Sequence, residues 1–293
     1  MSALKWLYLE NNKLSSIPDS IGSFSSIEGL NLCNNKLKSI PESIGRLSTL
    51  KMLVLDKNLL TTLPDAIGKL KSLTILKISN NELVSLPESI VTSRLTELDL
   101  AKNKLVDLPH GIGKMSLKQL CVNDNKLSSL PESIGNLREL YSLNISKNQL
   151  ASLPESIGNM SLLLTLNLSH NRLTSLPESI TNLDNLCYLN LDHNGLTSLP
   201  KNIGKMYALV SITLSHNLLR SIPHDIGDLP NICRLYIDNN GLTSIPSAVL
   251  EKPLLLINLD SYFQDIITDK NLLHRLFFEE EGADTKPARC IPL

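Results

Sequence analysis

The stretch TLNLSHNRLTSLPESI at residues 165–180 joins two alternating leucines, Leu166 and Leu168, to an asparagine, Asn171, and a proline, Pro177. Alternating leucines are typical of a short strand that buries one face. Proline is favoured at the start of a helical turn, and glutamate is favoured near its N-terminal end. The stretch therefore predicts a strand, a tight turn and a short helical return.

The same pattern recurs along most of the chain, which is therefore a tandem repeat. An asparagine of the motif L-x-x-L-x-L-x-x-N returns in steps of 23 residues, with two steps of 22, and a proline follows each one six residues later. We expect each asparagine to hydrogen-bond the backbone of the turns on both sides of it, and the glycine of most repeats to close the helical turn. The asparagines are Asn12, Asn35, Asn58, Asn81, Asn103, Asn125, Asn148, Asn171, Asn194, Asn217 and Asn240.

The unit L-x-x-L-x-L-x-x-N-x-L-x-x-L-P-x-x-I-G-x-L resembles the leucine-rich repeat of the Ras-suppressor and Shoc-2 class. It is also similar to leucine-rich repeat effectors that intracellular bacterial pathogens deliver into host cells. The resemblance covers residues 4–262 and implies an α/β fold, a leucine-rich repeat solenoid curved like a horseshoe. A parallel β-sheet forms its concave face, and short helical or 3-10 turns form its convex face. About 11 full repeats and one degenerate repeat share one core, because a single unit cannot bury its leucines alone.

The C-terminal end departs from the repeat. LLLINLDSY at residues 254–262 predicts a degenerate twelfth strand, and the apolar spacing that follows predicts a capping helix over 263–281, with a flexible tail over 282–293. The tail ends in CIPL, so Cys290 resembles the acceptor of a geranylgeranyl-type prenylation box. Because Pro292 departs from that pattern, an unmodified cysteine in a disordered tail is the alternative.

Composition and charge narrow the function classes. The net charge of −1 gives no overall attraction to nucleic acid and predicts no basic face for anionic lipid. The five cysteines lack C-x-x-C spacing, which predicts neither a zinc site nor a disulfide framework. A cytoplasmic location is therefore expected, or the host cytosol for a secreted bacterial effector. The sequence has no G-x-S-x-G motif and no glycine-rich phosphate loop, and it predicts no cofactor.

Outward-facing strand positions are the candidates for partner binding, because alternate residues of a strand face opposite sides of the sheet. Six, four and two residues before each repeat asparagine, the side chains are small and polar in the middle of the chain and large toward both ends. Tryptophan, tyrosine and arginine dominate binding hot spots. The first predicted patch is Trp6, Tyr8, Met52 and Val54, and the second is Tyr188, Asp192, Arg234 and Tyr236. For Trp6 and Tyr8, protection of the first strand edge is the alternative.

Three histidines precede the repeat asparagine in successive units, at His170, His193 and His216. Neighbouring strands lie about 4.8 Å apart, so the histidines are expected to form a straight row on the rim. A metal needs ligands that converge at about 2.0–2.1 Å, and a row offers at most a neighbouring pair with Asp192. The sequence therefore favours a solvated row, and no metal site is predicted.

The predicted function is non-catalytic binding of a protein partner on the concave face, by which the chain inhibits or scaffolds that partner. The resemblance implies a host signalling protein or another effector enzyme as partner, or alternatively a small GTPase in a Ras-family pathway. An enzyme is a third class, which no sequence motif supports. No nucleic acid is expected as a partner, and a membrane is expected only if Cys290 is prenylated.

Overall fold

The computed structural model of the protein describes residues 4–252, 255–260 and 276–279. Its strands form a single 13-stranded parallel sheet in which the strand order follows the chain. The strands are β1 (Trp6–Tyr8), β2 (Gly29–Asn31), β3 (Met52–Val54), β4 (Ile75–Lys77), β5 (Glu97–Asp99), β6 (Gln119–Cys121), β7 (Ser142–Asn144), β8 (Thr165–Asn167), β9 (Tyr188–Asn190), β10 (Ser211–Thr213), β11 (Arg234–Tyr236), β12 (Leu256–Asp260) and β13 (Leu276–Glu279).

Short helices make the return on the other side of each repeat. Most of them follow the repeat proline, which caps the helix in an extended conformation, as Pro131 does with φ −67° and ψ 146°. The repeat proline is therefore the N-cap residue, whereas it was predicted at the first helical position, one residue later. The 3-10 helices are Asp19–Ser23, Glu42–Arg46, Asp65–Lys69, Glu88–Thr92, Ile112–Lys114, Glu132–Asn136, Glu155–Asn159, Glu178–Asn182, Ile203–Lys205 and His224–Asp228, and a short α-helix, α1, spans Ser247–Leu250.

The repeat glycines lie where neighbouring returns approach closely. A Cβ atom on Gly22 would lie 2.5 Å from the carbonyl oxygen of Ser43, and one on Gly204 would lie 2.6 Å from that of Asp225. Both glycines lie inside their 3-10 helices, and neither needs a left-handed conformation. The prediction that glycine closes the helical turn was therefore wrong, because close stacking of repeats is what requires it.

One continuous core runs through the repeats. Leucines at equivalent positions are aligned without a shift, so that Leu143 pairs with Leu166 and Leu166 pairs with Leu189. These three side chains are at most 2% exposed. Complete burial of one leucine contributes roughly 1.5–3 kcal/mol. The single parallel sheet and its continuous leucine core confirm the predicted leucine-rich repeat solenoid.

The repeat asparagines link each unit to the one before it. The Asn171 side-chain amide donates hydrogen bonds to the carbonyl oxygens of Ile145 and Leu168, both at 3.0 Å, and its oxygen accepts one from the Leu150 amide at 3.0 Å. Asn35 to Asn240 repeat this arrangement, from the second unit to the eleventh. These bonds reach the asparagine's own turn and the preceding unit, whereas bonds to both neighbouring turns were predicted.

At the C-terminal end, β12 pairs with β13 in parallel, through Ile257 with Leu276 and Asn258 with Phe277. The predicted capping helix over 263–281 is therefore wrong for residues 276–279, which are a strand. A Leu-Phe-Phe run favours a strand. Pairing with β13 also satisfies backbone N–H and C=O groups of β12 that would be unpaired at a sheet edge. The rest of the predicted helix, the tail and Cys290 lie outside the described residues. Within the described part of the chain, no helix is long and apolar enough to cross a membrane.

Candidate functional site

The concave face consists of three columns of side chains, because the strands are in register. On β7, Leu143 is buried, whereas Ser142 and Asn144 are partly exposed. Local hydrogen bonds orient the polar side chains in the middle of this face. The side-chain oxygens of Asn144, Asn167 and Asn190 accept hydrogen bonds at 3.0–3.1 Å from the backbone amides two residues later.

The first predicted patch combines two exposed aromatic rings with two half-buried apolar side chains. Trp6 is 45% and Tyr8 62% exposed, and their rings lie nearly parallel with centroids 6.1 Å apart. Met52 and Val54 are half-buried on β3. A Cβ atom on Gly29 would overlap the Trp6 ring, so this ring covers the second strand. Trp6 thus packs over the second strand while much of its surface stays exposed, and protection of the first strand edge stays a prediction.

The second predicted patch lies on β9 to β11. Tyr188 is 49% and Tyr236 37% exposed, and Arg234 is exposed with no ion pair to any described residue. The register places Tyr188 opposite Ser211 and Ser211 opposite Arg234. Tyr188 and Arg234 are thus two strands apart, about 10 Å.

Asp192 is the least accessible charged group of the second patch. Its Oδ1 accepts a hydrogen bond from the Ser215 amide at 2.8 Å, and the Ser215 hydroxyl donates to Asp238 Oδ1 at 2.5 Å. Burial raises the pKa of the Asp192 carboxyl to about 6, and the neighbouring Asp238 adds to this effect. The Asp192 carboxyl therefore mainly stabilises the turn through its bond with the Ser215 amide, and only its remaining exposed surface can contact a partner.

The histidine row occupies a backbone position that the sequence analysis did not identify. His170, His193 and His216 have φ values of 54°, 52° and 56°, in the left-handed region. Every repeat has such a residue before its asparagine, and histidine, asparagine and aspartate are enriched there. The full set is Asn11, Asn34, Lys57, Asn80, Lys102, Asp124, Lys147, His170, His193, His216 and Asn239.

The three imidazole rings stack face to face. Ring centroids are 4.2 Å apart between His170 and His193 and 4.1 Å apart between His193 and His216. Stacking turns ring faces toward each other, and the described residues contain no group of three side chains suited to a metal ion. Burial lowers the pKa values of His170 and His193, and Lys147 lowers that of His170 further.

The repeat architecture agrees with family comparisons. A family model described as "Leucine rich repeat" matches residues 25–83, 93–150 and 185–242. Models described as "Leucine-rich repeat region" and "Leucine Rich Repeat" match residues 131–213 and 3–24. The chain belongs to the leucine-rich repeat family. No curated protein matches the chain.

Solved leucine-rich repeat structures resemble it over most of its length. A leucine-rich repeat protein of Leptospira interrogans is 33% identical with a TM-score of 0.74, over 92% of this chain and 76% of that one. The ectodomain of the Arabidopsis thaliana receptor kinase GASSHO1/SCHENGEN3, solved in complex with CASPARIAN STRIP INTEGRITY FACTOR 2, is 29% identical with a TM-score of 0.67. That match covers 88% of this chain and 39% of the receptor. Leucine-rich repeat proteins of this kind are typically non-catalytic binding modules.

Sequence reasoning missed exposed apolar residues next to the predicted patches. Leu256 is 40% exposed and pairs with Arg234, so it extends the second patch. Leu164 is 38% exposed at the edge of β8. Leu256 occupies an outward column, but it belongs to the degenerate repeat, where no hot-spot residue type marked it.

Proposed function

We propose that the concave sheet binds a protein partner without catalysing a reaction, and that the second patch makes the central contact. The observation that carries this proposal is the exposure of Tyr188, Arg234 and Tyr236 on strands that are paired on both sides. None of the three protects a sheet edge, since β9 to β11 have paired strands on both sides. Side chains of these types on a fixed surface provide contact area at a small entropic cost.

The shape of the surface favours a protein or peptide over a small metabolite. Twelve strands at about 4.8 Å give a face roughly 50 Å long, whereas metabolite sites are closed pockets. The receptor ectodomain described above was solved with a bound factor, which supports a macromolecular ligand for this chain.

A reducing compartment belongs to the same proposal. Cys33, Cys187 and Cys233 form no disulfide within the described part of the chain, which favours the cytoplasm. An inhibitory effector and a GTPase-pathway scaffold differ in the partner, so the identity of the captured protein separates these two roles.

The test compares wild type with the triple variant Tyr188→Ala, Arg234→Ala and Tyr236→Ala. The matched control is Tyr207→Ala, because Tyr207 is 62% exposed but lies outside the concave columns. Proteins captured by wild type and control are purified, and their affinities are measured by calorimetry. Hot-spot truncations cost about 2 kcal/mol or more each, so the triple variant should bind at least 100-fold more weakly. Equal affinity for the triple variant and the control would show that the concave patch is not the binding site.

A further inference from the structure

A strongly basic edge runs along the turns that follow the strands. We define the basic edge as the six residues of each repeat from the one before the asparagine to the fourth after it. In these turns ten cationic side chains are exposed, mostly in the first eight repeats. They are Lys13, Lys36, Lys38, Lys57, Lys102, Lys104, Lys126, Lys147, Arg172 and Arg220.

Few acids accompany these cations. The same turns contain Glu82, Asp107 and Asp124, and among the described residues only Lys104 of the basic edge forms an ion pair, to Glu82 at 3.1 Å. Many of the remaining acids open the 3-10 helices of the convex side, as Asp19 and Glu132 do. The expectation from net charge that no basic face exists is therefore wrong, because these turns hold ten exposed cations and only three acids although the whole chain is nearly neutral.

The backbone holds the charges of the basic edge in line. Lys57, Lys102 and Lys147 have φ values of 54–55°. Their amides donate hydrogen bonds at 2.8 Å to carbonyl oxygens of the next repeat. These three lysines occur in every second repeat, so they are about 10 Å apart. The edge therefore presents lysine side chains from regularly spaced backbone positions.

Aliphatic side chains are exposed among the lysines. Leu59, Val84 and Val106 of the same turns are 41%, 48% and 46% exposed. The edge contains no Trp, Tyr or Phe, and eight of its ten cations are lysines. Single-stranded nucleic acid is bound through aromatic stacking, and bases in a duplex are read mainly by bidentate arginine. Binding at a lipid interface instead combines buried aliphatic area with attraction of lysines to anionic headgroups.

We propose that the basic edge docks the protein onto an anionic membrane surface, with Leu59, Val84 and Val106 entering the interface between the lysines. The concave face lies beside this edge and stays open, so a membrane-bound protein can still hold a partner. The proposal is independent of the concave-face function and does not require lipid modification of Cys290.

The experiment measures co-sedimentation of the full chain, made in bacteria without prenylation, with phosphatidylcholine vesicles that contain or lack phosphatidylserine. The edge variant replaces Lys57, Lys102 and Lys147 by Asn, which this chain uses at the same turn position at Asn34 and Asn80.

A control variant removes the same charge from the convex side. It replaces Lys69, Lys114 and Lys205 by Asn, the residue that ends the helix at Asn136 and Asn159. Each lysine near an anionic surface contributes about fivefold to binding, so the edge variant should bind roughly 150-fold more weakly than the control.

A second variant tests the aliphatic contact without changing charge, through Leu59→Gln, Val84→Thr and Val106→Thr. It should bind phosphatidylserine vesicles several-fold more weakly and leave any binding to duplex DNA or RNA unchanged. Equal losses in the edge and control variants would overturn the proposal, since attraction would then follow net charge alone. Wild-type binding to nucleic acid without binding to vesicles would also overturn it.

Discussion

Removal of one interior asparagine side chain tests the origin of the solenoid's stability. In Asn171→Ala, the Leu150 amide loses its only acceptor, while the carbonyl oxygens of Ile145 and Leu168 keep one donor each, from Asn148 and Asn194. A buried orphan donor costs about 1–3 kcal/mol, and each of the two other lost bonds costs about 1 kcal/mol. We therefore expect a loss of about 3–5 kcal/mol in the free energy of unfolding.

The first repeat provides the matched control. Asn12 is exposed and its amide donates only to Leu9 and Glu10 of its own turn, so Asn12→Ala should cost less than about 1 kcal/mol. Urea unfolding followed by circular dichroism measures both losses. Fluorescence of Trp6, the only tryptophan, checks whether the terminal repeat unfolds with the rest. Losses that agree within about 1 kcal/mol would refute the reasoning, because bonds to the preceding repeat would then contribute nothing measurable.

Three further changes test close packing and buried charge. Gly204→Ala should lose about 1–3 kcal/mol of stability by overpacking. Gly195→Ala should be near neutral, because its Cβ would have its nearest neighbour at 3.5 Å. Thermal unfolding compares the two variants. Asp192→Asn should stabilise the fold by up to about 3 kcal/mol at pH 8. The Asp192 carboxyl has its pKa raised to about 6, so its ionisation above that pH costs folding free energy. In urea titrations, the gain from the substitution should vanish below pH 4. Because the pKa values of His170 and His193 are lowered, stability should fall as the pH drops through the ordinary histidine value of 6.5. Replacing both histidines by Asn should reduce this loss of melting temperature at low pH. An unchanged dependence of melting temperature on pH would contradict this prediction.

The repeat asparagines and prolines were enough to predict the sheet, the register and the core, because one spacing repeats with little change. Prediction failed where that spacing ends. Leu276 and Phe277 fit a helical pattern in sequence, but the open side of β12 supplies a pairing partner that a local pattern does not contain. The left-handed turn position was also missed, since lysine at Lys57, Lys102 and Lys147 interrupts the run of asparagine, aspartate and histidine that favours this conformation.

For the candidate site, sequence placed the exposed tyrosines and Arg234 correctly on the concave columns, because alternation along a strand fixes which face a residue occupies. It could not show that Asp192 is largely engaged by the Ser215 amide, which depends on the turn of the next repeat. The net charge, summed over the whole chain, could not reveal the basic edge either. Charges that cancel in the total can still be unevenly distributed, as in these turns, where ten cations accompany three acids.

The same uneven distribution explains how a single repeated unit can carry more than one binding surface. The leucine, asparagine and proline positions are fixed by burial, hydrogen bonding and capping, and they leave each repeat three outward strand positions and a turn to vary. Variation of the strand positions places Tyr188 and Tyr236 on the concave face. Variation of the turn places Lys57 and Lys102 on the edge, where a left-handed backbone accepts asparagine, aspartate, histidine or lysine. Because the two sets share no side chain, substitutions on the edge should change vesicle binding and leave partner affinity at the concave face unchanged.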